Sequence, residues 1–83
     1  MSREPLEQAE IAARHLVRTL DIDELQLLVA LVRGMSARDV AAGTGLDAGE
    51  VESTRTTMMR KLGAARTADA VRIGILAHVD LMN

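Results

Sequence analysis

The chain has no cysteine, no phenylalanine, tyrosine or tryptophan, and a single proline in 83 residues. Without cysteine, disulfide staples, thiolate metal sites and cysteine nucleophiles are excluded, and the redox compartment leaves no mark on the sequence. Without aromatic rings, the core has to be assembled from Leu, Val, Ile, Ala and Met. That favours packed helices over a sheet, where aromatic and β-branched side chains usually lead. No apolar run approaches the roughly 18 residues of a membrane span, and the N-terminus is polar rather than signal-like. The expectation is a soluble cytoplasmic protein with no membrane partner.

A strong charge of either sign is also missing: the net charge is −2. The acidic excess sits in the first 24 residues, where Arg3, Arg14 and Arg18 face Glu4, Glu7, Glu10, Asp21, Asp23 and Glu24. No segment is strongly basic, which is unusual for a duplex-binding domain, since phosphate neutralisation supplies much of the affinity there. The length makes one small domain. A chain of this size buries only ~60% of the surface its unfolded state exposes, so its stability margin is thin and a dimer would help it.

The apolar pattern predicts four or five helices and no strand. The first runs from Arg3 to Thr19, with Pro5, Glu4 and Glu7 in its first turn and a stripe of Leu6, Ala9, Ala13, Leu16 and Leu20. That stripe serves either packing on the same domain or dimerisation. Asp21 or Asp23 caps a second helix, Ile22 to Val32, whose apolar residues run nearly all round, so it is expected at the buried centre. Gly34 ends it. Ser36 caps a third, short helix through Ala42, and Gly43-Thr44-Gly45 reads as a tight turn.

The next helix, 48–62, carries the most information. Asp47 caps it and Glu50 completes an acidic capping box. Val51, Met58 and Leu62 recur at helical spacing, with the stem of Arg55 filling the missing step, and Gly63 closes it. Gly49 in the first turn weakens this helix by about 1 kcal/mol relative to Ala. After Ala64-Ala65-Arg66, Thr67 caps a last helix to Val79, with Val71, Ile75 and Val79 along one edge and Leu76 beside them. The third and fourth helices, joined through a Gly-containing turn, have helix-turn-helix spacing, a weak signal by itself.

A more specific signal runs from Leu20 to Val71. It comprises Leu20-Asp21-x-x-Glu24-x-x-x-Leu28, Val32-Arg33-Gly34-Met35-Ser36 with Asp39-Val40-Ala41, and Gly45-Leu46-Asp47-x-x-x-Val51. Met58-x-x-Lys61-Leu62-Gly63, Arg66-Thr67 and Ala70-Val71 follow in order. This stretch resembles the LuxR/FixJ-type (GerE-like) DNA-binding domain of bacterial regulators. The resemblance implies an all-α bundle: a four-helix unit at 20–83 containing a helix-turn-helix, preceded here by one extra helix at 1–19. It implies that helix 48–62 enters the major groove, with Glu52, Ser53 and Thr56 at base-reading positions. Ser36, Arg38, Thr54, Arg60 and Lys61 would then lie near the phosphate backbone. The last helix would pair two copies on a two-fold operator through Val71, Ile75, Leu76 and Val79.

The chain departs from the family pattern at Glu52, where Lys or Arg is usual, at Glu50, where Thr or Ser is usual, and at Thr54, where His is frequent. Glu50 also reads as a capping residue alone, and Glu52 as a solvated residue or one paired with Arg55 or Thr56. Met58 and Met59 read as core filler. His15 and His78 have no metal-spaced partner. Nothing in the sequence calls for a cofactor, a metal, a small-molecule substrate or an enzyme's machinery.

Two functions fit. One is a stand-alone transcriptional regulator binding duplex DNA as a homodimer, with helix 3–19 in place of the usual sensing domain. The other is an antiactivator that pairs with a larger LuxR-type regulator and holds it off DNA, which the acidic recognition helix favours.

Overall fold

A computed structural model describes residues 4–81. Among them lie five α-helices and no strand: α1 Glu4–Val17, α2 Ile22–Val32, α3 Ala37–Thr44, α4 Ala48–Leu62 and α5 Thr67–Leu76. A 3₁₀ turn, Val79–Leu81, follows. The Arg3 start expected for the first helix lies outside the described residues. No helix among them is long and apolar enough to cross a membrane.

Side-chain caps set the starts of the three middle helices. The carboxylate of Asp21 accepts the Glu24 N–H at 2.9 Å, and the Glu24 carboxylate accepts the Asp21 N–H at 2.8 Å. Asp21, not Asp23, is therefore the cap of α2. Ser36 and Asp39 form the same reciprocal pair at the start of α3, at 3.1 and 2.9 Å. Each such pair satisfies two of the N–H groups that a helix leaves without intrahelical partners. At the other ends, Gly34, Gly45 and Gly63 take left-handed φ angles of 83°, 77° and 66°. The Met35 N–H then reaches back to the Ala30 carbonyl, and the Ala64 N–H to that of Met59, both at 2.9 Å. These long return bonds close α2 and α4.

The apolar run of α2 makes it the centre. Leu27, Leu28, Val29 and Ala30 are buried, and α2 packs against α3, α4, α5 and the 3₁₀ turn. The core is completed by Val40 of α3, Val51, Met58, Met59 and Leu62 of α4, and Ala70 of α5. Ala70 and Gly74 of α5 and its C-cap residue Ala77 form a row of small residues at helical spacing, all buried. A Cβ on Gly74 would lie 2.6 Å from Val32 Cγ2 and 3.3 Å from Leu28 Cδ1. The missing side chain lets α5 approach α2 closely.

Several expected boundaries shift. In α1 the buried residues are Ala13 and Val17, while Leu6 is 57% exposed. Its stripe runs on past the part of the helix that neighbours cover, since residues 4–8 are all exposed. The α3 helix extends through Gly43 and Thr44, so the expected three-residue turn reduces to Gly45 as the helix stop. The Thr44 hydroxyl donates to the Val40 carbonyl at 2.7 Å, continuing the helix pattern. Arg66, not Thr67, is the cap residue of α5, and the Asp69 carboxylate accepts its N–H at 3.1 Å. The last helix stops at Leu76 rather than Val79. His78, at φ 55°, turns the chain so that Val79 enters the core with no exposure. Val79 therefore cannot belong to an outward dimer edge; its side chain fills the protein's own interior.

The two helical glycines of α3 and α5 should respond oppositely to an added side chain. Gly43 faces open space, so Gly43→Ala should raise stability by about 0.5–1 kcal/mol through helix propensity. Gly74→Val should lower it by about 2 kcal/mol or more through overpacking against Val32 and Leu28. Urea unfolding of both variants measures the contrast, and an unchanged midpoint for Gly74→Val would contradict the close approach.

Candidate macromolecule-binding face

Helix α4 divides cleanly into two sides. Val51, Met58, Met59 and Leu62 enter the core, while Gly49, Glu52, Ser53, Thr56 and Arg60 are exposed along the opposite side. The helix is joined to α3 through Gly45, Leu46 and Asp47, and it packs on α2, α3, α5 and α1. Asp47 accepts the Glu50 N–H at 2.8 Å. A Cβ on Gly49 would crowd Asp47 Oδ1 at 3.2 Å, so glycine there leaves the capping carboxylate room.

The outer side carries most of the residues expected to bind. Glu52, Ser53, Thr56 and Arg60 are exposed on it, and Ser36 and Arg38 are exposed at the start of α3. Arg38 and Arg60 make no ion pair among the described residues. The Ser36 oxygen accepts the Asp39 N–H, and its hydroxyl is shared with the Asp39 carboxylate. The Thr56 hydroxyl donates to the Glu52 carbonyl at 3.0 Å. Thr54 is half-buried and lines a hollow between α2 and α4 together with Asp21, Asp23 and Thr57. It stands on the flank, away from the outer stripe.

Lys61 is the main departure from expectation. Its ammonium lies 2.7 Å from Glu24 Oε1, a carboxylate whose side chain is only 3% exposed. The last turn of α4 passes the first turn of α2, and the buried anion there draws in the nearest cation. Lys61 thus serves the fold and is not an unengaged phosphate-binding group. Sequence spacing gave no sign of this contact, because the partners lie 37 residues apart. Arg55 also does more than fill a packing step. Its Nη2 donates to Thr67 Oγ1 at 2.8 Å, and its Nη1 stands 3.8 Å from Glu52 Oε1. The expected Glu52–Arg55 pairing is present.

The acidic capping box at Asp47 and Glu50 closes only halfway. Asp47 accepts from the Glu50 backbone, but the Glu50 carboxyl does not return to the Asp47 N–H. Bonds from the Glu50 backbone and side chain hold the Asp47 carboxyl below its ordinary pKa. The hydrogen bond to Asp47, then the charges of Asp47 and Asp23, push the Glu50 carboxyl above its ordinary value. Asp39 is held low by the Ser36 backbone N–H and then the Ser36 hydroxyl. The outer face therefore runs from carboxylates at its first turn to Arg60 at its last.

Among the described residues no group of three His, Cys, Asp or Glu side chains is placed to hold a metal ion. His78 instead contacts Glu10, Nε2 to Oε2 at 3.0 Å, and His15 is exposed. A cavity of about 110 Å³ lies between α2, α3 and α4, lined by Leu27, Val40, Leu46 and Val51 among others. It is well below the usual ~300–1,000 Å³ of small-molecule sites. No family model matches the chain, and comparison with curated proteins and with solved structures gives no match.

Two outcomes follow for stability. Lys61→Met leaves the Glu24 carboxylate without its cation; water reaching the partly exposed Lys61 position offsets some of the loss, so the cost should be about 2 kcal/mol. A urea midpoint equal to wild type would show the ion pair to be dispensable. Ionised Glu50 opposes folding, because its folded pKa is raised: the stability tied to its protonated form is present at low pH and lost as pH rises through that value. Asp47 acts in reverse, its contribution present above the ordinary carboxylate pKa and lost as pH falls through the lowered one. Glu50→Gln should accordingly raise the melting temperature at pH 7, with the gain shrinking as the medium is acidified toward pH ~4. A gain that grew on acidification would contradict the assignment.

Proposed function

We propose that this chain is a small helix-turn-helix regulator that contacts duplex DNA through the outer side of α4, as a homodimer. The observation that carries the reading is that a polar stripe, Glu52-Ser53-Thr56-Arg60, stands clear of the core along the full helix. Exposed Ser36 and Arg38 on the preceding helix supply hydroxyl and guanidinium groups suited to phosphate. The LuxR/FixJ-type resemblance from Leu20 to Val71 supports the same use of this helix. The dimer would form on the α5 edge offered by Val71, Ile75 and Leu76, with Ile75 55% exposed. The chain acts by binding and not by catalysis.

A second reading is favoured by the charge of the face. With Lys61 engaged by Glu24 and Arg55 beside Glu52, Arg60 is the remaining cation of α4 without an ion pair. The acidic first turn of α4 suits the basic DNA-facing surface of a larger LuxR-type regulator, which it would hold off DNA.

A mobility-shift titration over a range of salt separates the two. DNA binding predicts that Arg60→Ala weakens every sequence alike and reduces the salt slope by about one. Absence of any shift by the wild type at low salt, with co-purification of a larger regulator, would establish the second reading instead.

A further inference from the structure

We infer that Glu52, with the Thr67-anchored guanidinium of Arg55 beside it, accepts a hydrogen bond from the exocyclic amino group of a cytosine. The inference rests on the DNA-binding reading and specifies the base edge that α4 recognises.

An ionised carboxylate in the major groove can only accept, so it needs a donor on the base edge. Cytosine N4 and adenine N6 are the two donors there. Each amino group has its pairing partner's acceptor on one side, thymine O4 or guanine O6. On the other side adenine N6 has its own N7 acceptor, whereas cytosine N4 has the C5–H, so a single carboxylate finds less opposition at cytosine. The neighbouring Thr56 reinforces the same preference. Its O–H is committed to the Glu52 carbonyl at 3.0 Å, so it presents to a ligand its oxygen lone pairs and its methyl group. At Glu52 and Thr56, the stripe offers acceptors and no polar hydrogen.

A carboxylate facing phosphates would oppose binding unless a cation stood beside it. Arg55 supplies one, with Nη1 at 3.8 Å from Glu52 Oε1. Arg55 is itself anchored from the other side, Nη2 to Thr67 Oγ1 at 2.8 Å. The planar guanidinium fork spans both partners in a fixed geometry, which a compact, rotatable ammonium does not impose. Thr67 opens α5, so the guanidinium beside Glu52 is tied to a second helix, and through it biases the exposed carboxylate. Arg55 is thus a positioning residue and Glu52 the group that touches the base.

The test selects duplexes from a randomised pool at low salt, using wild type, Glu52→Gln, Glu52→Ala, Arg55→Met, Arg55→Lys and Thr67→Val. Thermal melts establish that each variant is folded. Wild type should select cytosine at one position by about tenfold or more. Glu52→Gln should move that position to adenine, whose N6 and N7 match an amide, and Glu52→Ala should abolish preference there alone. Arg55→Met and Thr67→Val should flatten the cytosine preference while leaving other positions intact, with Arg55→Lys intermediate. If duplexes are selected but no position responds to Glu52, the inference is wrong and DNA binding stands. If Glu52 controls a position that folded Arg55→Met and Thr67→Val leave unchanged, the positioning role is wrong. If the wild type retains no duplex, both the inference and the reading beneath it fall.

Discussion

One oxygen of Glu24 accepts both the Asp21 N–H, at 2.8 Å, and the Lys61 ammonium, at 2.7 Å, with the residue 2% exposed. A carboxylate withdrawn from water to this degree is unfavourable by several kcal/mol unless its partners are close and well directed. Both partners have to be in place together, so the start of α2 and the end of α4 are fixed against each other. Hydrophobic burial alone would allow α4 some rotation about its axis, because Val51, Met58, Met59 and Leu62 are compliant side chains. The ion pair removes that latitude. The direction in which Glu52, Ser53, Thr56 and Arg60 point is set from the flank of the helix, where Lys61 meets Glu24.

The same contact limits what the face can do. It takes one cation out of the set that could meet phosphate, and the pairing of Arg55 with Glu52 draws on another. Each phosphate neutralised contributes about one unit to the salt slope, so a single copy has little electrostatic grip on a duplex. Two copies on a two-fold site double the contacts, and the second engages at the high effective concentration created by the first. On the DNA-binding reading proposed above, pairing of two copies would be the means by which a weakly cationic unit reached useful affinity. The α5 edge with half-buried Val71 and exposed Ile75 bears on the same question, while Val79, which sequence periodicity places on that edge, lies in the core.

What the sequence disclosed was local. Asp21, Ser36 and Asp47 as caps, and Gly34 and Gly63 as stops, bound α2, α3 and α4 closely, because capping chemistry needs only neighbours within four residues. The inward stripe of α4 was legible for the same reason. Contacts between distant segments were not: Glu24 with Lys61, Arg55 with Thr67, and Glu10 with His78 join residues brought together only by the packed helices. The row Ala70, Gly74 and Ala77 carries no apolar signal, since its contribution is the absence of side-chain volume against Val32 and Leu28. The turn after the last helix passes through a left-handed His78, and histidine, though enriched among non-glycine residues at positive φ, adopts it too rarely to mark a turn in a sequence by itself.

The two Asp-x-x-Glu sequences show how the global fold decides a local motif. Asp21 with Glu24 and Asp47 with Glu50 have the same residues at the same spacing, yet only the first pair closes reciprocally. Closing the box places two carboxylates side by side at a helix start. The N–H groups and the helix dipole offset part of that repulsion, and at Asp21 the Lys61 ammonium offsets the rest. At Asp47 no cation forms an ion pair among the described residues; the hydrogen bond to Asp47 and then its charge raise the Glu50 pKa, and Asp23, another acid, adds a smaller push. Glu50 is left exposed at the first turn of the candidate binding face, as an anion that folding does not favour. A helix start that lacks a compensating cation leaves carboxylates at the first turn and Arg60 at the last, and that asymmetry gives the face its acid-to-base direction.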